Sequence, residues 1–261
     1  MNRDIMRQAV TVAAALAMIV VNLLANALPI NGQTTAAISD RFPVFFVPAG
    51  YVFAIWGLIY LGVIAFAVYQ ALPAQRENPR LRRIGYWFAL GAAANSAWIF
   101  LWHYEQFPAT LVAMLALLAS LIAVYLRLDI GRAPVPRAER WLVHLPFSIY
   151  LGWITVATIA NATALLSYLQ WDGWGIAPEA WTVIMLAAGV ALAALNSLTR
   201  GDAAYLLVLV WAFVGIAVKH GDTALVAASA LVAAALVLAA LVIGVALRGR
   251  RGGRASLSTA V

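Results

Sequence analysis

The sequence predicts an all-α membrane bundle of about eight transmembrane helices. Three observations predict it. The chain is 65% hydrophobic and only 10% charged. Its mean hydropathy is +0.91. Long apolar runs alternate with short polar or basic turns, a pattern typical of integral membrane proteins.

A span needs ~20 mostly apolar residues. Eight segments fit: 8–28, 50–72, 84–103, 109–128, 141–169, 179–198, 203–219 and 223–247. The first follows Arg3 and Arg7 and contains Ala25-Asn26-Ala27, which has the form of a signal-peptidase site. Its apolar run, Gln8 to Leu28, exceeds the ~7–15 residues of a signal core, so a retained helix is expected. The loop 29–48 is the longest non-spanning piece. It carries Asp40-Arg41 beside Phe42, Phe45 and Phe46, then Pro48. An interfacial aromatic anchor and a lid over the bundle mouth are both open to it. The fifth span is long enough to tilt or project from the bilayer. The seventh is short, and only His220-Gly221-Asp222 divides it from the eighth.

The charges then set orientation. Fifteen of the 17 basic residues fall at one side: Arg3, Arg7, Arg76, Arg80, Arg82, Arg83, Arg127, Arg132, Arg137, Arg140, Arg200, Arg248, Arg250, Arg251 and Arg254. Arg41 and Lys219 fall at the other. By the positive-inside rule both termini are cytoplasmic, as an even number of spans requires. The net charge of +7 therefore reads as topology and lipid contact, not nucleic-acid binding.

Much chemistry is excluded. There is no cysteine, hence no disulfide, thiolate catalysis or cysteine-held metal. All ten acidic residues map to loops or span boundaries, so no span carries a mid-depth carboxylate for a proton relay or metal site. His103 and His144 are expected at opposite faces and cannot share a site. Either is a candidate haem ligand, although an interfacial or hydrogen-bonded histidine is the commoner case. No serine stands in a nucleophile-elbow motif.

What the spans do carry is indole, phenol and carboxamide. Phe53, Trp56 and Tyr60 form one stripe; Asn95, Trp98 and Trp102 a second; Tyr150, Trp153, Ala157 and Asn161 a third. Steps of three, four, seven or eight residues place each set on one helix face. The topology puts all three in the outer half of the membrane, beneath the loop 29–48. Trp153, beside Ala157 and Asn161, offers a flat wall and a polar handle suited to a flat apolar ligand. Core packing is the ordinary alternative for each stripe. Interhelical hydrogen bonding alone accounts for Asn22, Asn26 and Asn196. Trp87, Trp141, Trp171, Trp174 and Trp181 read as an interfacial belt. Trp211 is mid-span, with no stripe around it.

The segment Pro48-Ala49-Gly50-Tyr51-Val52-Phe53-Ala54-Ile55-Trp56-Gly57-Leu58-Ile59-Tyr60, the Asn95-Ser96-Ala97-Trp98 pattern and the Trp153, Ala157, Thr158, Asn161 set resemble the TspO/MBR family, the tryptophan-rich sensory or translocator proteins. The likeness covers roughly 8–169. Tyr51 stands where a tryptophan is usual, and Pro146 lies further from Trp153 than the family proline. The resemblance implies a TspO-like five-helix core over 1–169; the alanine-rich, aromatic-poor spans that follow read as a three-helix extension over 170–247, and the basic, small and polar residues 248–261 as a disordered tail. The resemblance further implies a pocket lined by the second, third and fifth helices, taking tetrapyrroles such as protoporphyrin or haem, or sterol-like molecules. The ten stripe residues are the candidate ligand contacts.

The expected function is a membrane sensory or ligand-binding protein of the bacterial inner membrane, with no catalytic residue and no obligatory cofactor or metal. Its partners are the bilayer and a small hydrophobic ligand; the oligomeric state is open, homodimer included. A small-molecule transporter, a tetrapyrrole-modifying enzyme and a purely structural role for the extension are the alternatives.

Overall fold

The computed structural model describes residues 3–28 and 30–258, without the side chains of Asn26 and of 249 onward. Every regular element in it is helical. Eight long helices follow one another: α1 (Arg3–Ala27), α2 (Ile55–Ala71), α3 (Trp87–His103), α4 (Phe107–Arg127), α5 (Leu145–Tyr168), α6 (Pro178–Thr199), α7 (Ala203–Lys219) and α8 (Ala224–Ser258). Six stretches among them are long and apolar enough to cross a membrane. The other two helices, α3 and α7, have 17 residues each, the short end of the ~17–25 that a span requires. The expected tail, 248–261, falls almost wholly on side chains and residues outside those described.

Local chemistry sets the helix limits. Asp202 accepts from the amides of Ala204 and Tyr205 at the start of α7, satisfying donors that a helix N-terminus leaves unpaired. Pro178 opens α6, where a missing N–H costs nothing. The fifth helix differs from its expected start. Its helical path begins at Arg137 and passes through a π-helical turn, Arg140–His144. There Leu145 donates back five residues to the Arg140 carbonyl. Pro146 lacks an N–H and crowds the preceding turn, and the wider turn carries the chain past it.

Five helices close a ring in the order α1, α2, α5, α4, α3, with α3 returning to α1. Helix α7 packs on the outer side of α5, and α8 packs against α7 and α6. The α5–α7 approach is close at Gly152, where a Cβ would lie 3.0 Å from the Tyr205 carbonyl oxygen and from Val208 Cβ. The main buried apolar cluster runs without a break from the ring into α7 and α8, including Ile154, Phe213 and Val226.

Polar pairs mark the two ends of the bundle. At one end Arg82 pairs with Asp4, Arg80 with the buried Glu139, Arg200 with Asp129, and Arg127 donates to the Arg83 carbonyl. At the other, Arg41 pairs with Glu105 and Lys219 with Asp40. This is the division of charge that the sequence anticipated, with the start of α1 and the C-terminal part of α8 at the arginine-rich end.

Candidate functional site

The ring encloses a cavity of about 230 Å³ at the end away from the arginine cluster. Helix α2 contributes Trp56 and Tyr60, with Phe53 from the turn before it; α3 contributes Asn95, Trp98 and Trp102; α5 contributes Trp153, Ala157 and Asn161. These nine sequence-predicted residues share one wall system because helical spacing had already aligned them within each helix. Tyr150 does not line it. That side chain is buried behind the wall, 2% exposed, with its ring edge-on to Trp56 at 6.1 Å.

The aromatic rings pack in defined pairs. Trp98 and Trp102 are stacked, centroids 5.2 Å apart and planes 17° apart. Trp153 meets Phe53 edge to face at 5.6 Å and Trp56 at 6.3 Å. Such geometries suit the ring quadrupoles and present flat apolar surface to the cavity.

A chain of hydrogen bonds forms the floor. Tyr60 donates to Asn22 Oδ1 at 3.0 Å, Asn22 Nδ2 to Asn95 Oδ1 at 2.7 Å, and Asn95 Nδ2 to the Tyr150 hydroxyl at 3.0 Å. Four helices are thus tied at one level, which satisfies carboxamides that hydrocarbon would otherwise leave unpaired. Nearer the mouth, the Trp98 indole donates to Asn161 Oδ1 at 2.9 Å, and Asn161 Nδ2 to the Thr110 hydroxyl at 2.9 Å. The amides expected as ligand handles are therefore engaged within the protein. The Trp153 indole nitrogen is different: it is buried and has no acceptor among the described residues.

Segment 35–54 roofs the cavity. Thr35, Ala36, Ser39, Val44, Val47 and Pro48 line it from above, so the first loop covers the bundle mouth. Its front part is held by the Asn31 side chain donating to the His103 carbonyl, the Trp102 indole donating to the Thr35 carbonyl, and Phe42 packed against Trp102 and Phe107.

The expected lining of α2, α3 and α5 is incomplete. Helix α1 adds Asn22, and α4 adds Met114 and Leu117. Asn22 was legible as a polar residue in an apolar helix, but its spacing gave no reason to aim it at the cavity. Met114 and Leu117 sit among alanines and leucines and carry no contrast at all. Asn196 donates to the Tyr125 hydroxyl at 3.1 Å, far along the chain from the stripes; the Asn26 side chain lies outside those described.

Among the described residues, no charged residue or histidine lines the cavity. His103 is fully buried at the end of α3, Nδ1 2.7 Å from the Ile99 carbonyl and Nε2 3.5 Å from the Thr35 hydroxyl. His144 sits at the other end, beside Glu139. Among the described residues, no three His, Cys, Asp or Glu converge as a metal group.

A family model for TSPO-like proteins matches residues 8–245. The chain belongs to the TSPO-like family. The match runs through α6, α7 and most of α8, beyond the 8–169 over which the motifs carry the likeness. No curated protein and no solved structure matches the chain. Membership in the TSPO-like family and the apolar helices together make this an integral membrane protein.

Proposed function

We propose that this protein binds a flat hydrophobic ligand, of the tetrapyrrole or sterol-like class, in the cavity beneath its first loop, and that it serves as a membrane sensor or receptor for that ligand. The carrying observation is the cavity wall: four indoles, Trp56, Trp98, Trp102 and Trp153, with no charged side chain among them. Tightly packed cores do not keep such space open, whereas ligand sites are concave, mostly apolar and sparsely polar. The unpartnered Trp153 N–H adds to this. A buried donor without an acceptor costs ~1–3 kcal/mol, and a ligand oxygen or nitrogen reaching it would recover that cost.

Size bears on the ligand. The cavity, about 230 Å³, is below the ~300–1,000 Å³ usual for drug-sized ligands. A macrocycle would therefore lift the roof or extend past it. Neither His103 nor His144 lines the cavity, so haem would be held by stacking rather than by a histidine–iron bond. By the positive-inside rule the mouth faces away from the cytoplasm, at a bacterial inner membrane.

The test is a thermal-shift screen of the purified protein in detergent with porphyrins, haem, sterols and carotenoid precursors. A concentration-dependent rise in melting temperature with one flat class supports the reading. No shift with any of them counts against it.

A further inference from the structure

The rear of the roof is held largely from outside the five-helix ring. Beyond Phe42, which packs on Trp102 and Phe107, the aromatic contacts and long-range hydrogen bonds of residues 45–52, with the Asp40 ion pair, reach α7 and the turn after it. The Ala49 amide donates to the Gly215 carbonyl at 3.0 Å, and the Trp211 indole donates to the Val52 carbonyl at 3.1 Å. Tyr51 packs edge-on to Trp211 at 5.3 Å, Phe46 to Phe213 at 6.4 Å and Phe45 to His220 at 5.2 Å. Lys219 pairs with Asp40 at 3.1 Å. Trp211, Gly215 and Lys219 recur every four residues, so a single face of α7 makes the main polar contacts.

Gly215 is the centre of that face. A Cβ there would overlap the Val52 side chain and lie 3.1 Å from Pro48 Cβ. Only a residue without a side chain lets the roof settle this close. The segment so held matters to the cavity: Val44, Val47 and Pro48 are its rear walls. Val44 also borders a second cavity, of about 210 Å³, between the first loop, the end of α5 and the start of α6. The docked roof is thus what partitions the two.

We infer that the face Trp211–Gly215–Lys219 of α7 is the dock for the lid of the ligand cavity, and that these are positioning residues which set how long a ligand stays bound. This rests on the proposed binding function for its kinetic consequence, while the docking itself does not. Trp211, which has no stripe in the sequence, acquires a role here, and so does the seventh helix.

Two measurements on full-length protein in detergent separate the parts. Hydrogen exchange over 43–54 reports docking without any ligand. The dissociation rate of protoporphyrin, followed by tryptophan fluorescence, reports retention. In Trp211→Phe and Gly215→Ala, exchange over 43–54 is expected to rise while α3 and α5 stay protected. Dissociation is expected to quicken about three- to tenfold, the scale of one lost hydrogen bond. The reversed pair Asp40→Lys with Lys219→Asp is expected to restore the protection that Lys219→Asp alone removes. Unchanged exchange over 43–54 in Trp211→Phe and Gly215→Ala overturns the dock. Raised exchange with unchanged dissociation overturns its role in retention. If the wild-type protein binds no porphyrin yet its roof is protected by these contacts, the binding proposal fails and the dock stands.

Discussion

The Trp98 indole donates a hydrogen bond to Asn161 Oδ1 at 2.9 Å, whereas the Trp153 indole, on the same helix as Asn161, has no acceptor among the described residues. One tryptophan is pinned by the protein; the other keeps a free donor. This difference separates their roles, although the sequence presents both simply as tryptophans on striped helices.

Trp98→Phe keeps a stackable ring but leaves Asn161 Oδ1 without its donor. The expected cost is ~1 kcal/mol of bundle stability, with a smaller change in ligand affinity. Thermal unfolding in detergent beside a porphyrin titration checks the ordering. A large affinity loss with unchanged stability would contradict it.

Asn95→Leu cuts the floor in two places, since Asn95 accepts from Asn22 and donates to Tyr150. Interhelical hydrogen bonds in membranes are worth ~0.6–2 kcal/mol each. A destabilisation of ~1–3 kcal/mol is expected in the same unfolding assay, and Asn95→Asp should not restore it, because it would place an ionisable carboxyl at a buried site within the bundle.

The front latch of the roof responds to acid. Glu105 is held below the usual carboxylate range, first by the Gln33 side-chain amide and then by Arg41. A depressed carboxyl stabilises the folded arrangement above its unfolded value, near 4.5, and the contribution is lost as pH falls through the lower folded value. Protection over 33–41, corrected for the intrinsic pH dependence of amide exchange, should therefore be flat from pH 7 to about 5 and fall only below the unfolded value of 4.5. Glu105→Gln should raise exchange at pH 7 and abolish the acid step. A step near pH 6 would point to another group.

The bundle and most of the cavity were legible because helical periodicity fixes faces and charge fixes ends. The stripes on α2, α3 and α5 were expected at one depth, and Trp56, Trp98 and Trp153 line one cavity. Tyr150 failed as a wall residue because its phenol is turned to the Asn95 carboxamide, a choice between two neighbours that spacing does not encode. Met114 and Leu117 were invisible because nothing in α4 distinguishes a cavity-facing apolar residue from a packed one. The work of α7 was hidden for another reason. Its partners at Ala49 and Val52 are backbone groups more than 150 residues away, and backbone atoms leave no mark in a sequence.

The most direct test is protoporphyrin titration of wild-type and Trp153→Ala protein, followed by tryptophan fluorescence in detergent. Loss of one buried aromatic contact is expected to weaken binding by ~1–3 kcal/mol, with Trp153→Phe falling between for want of the indole donor. Equal affinities in wild type and Trp153→Ala would contradict a ligand seated against that wall.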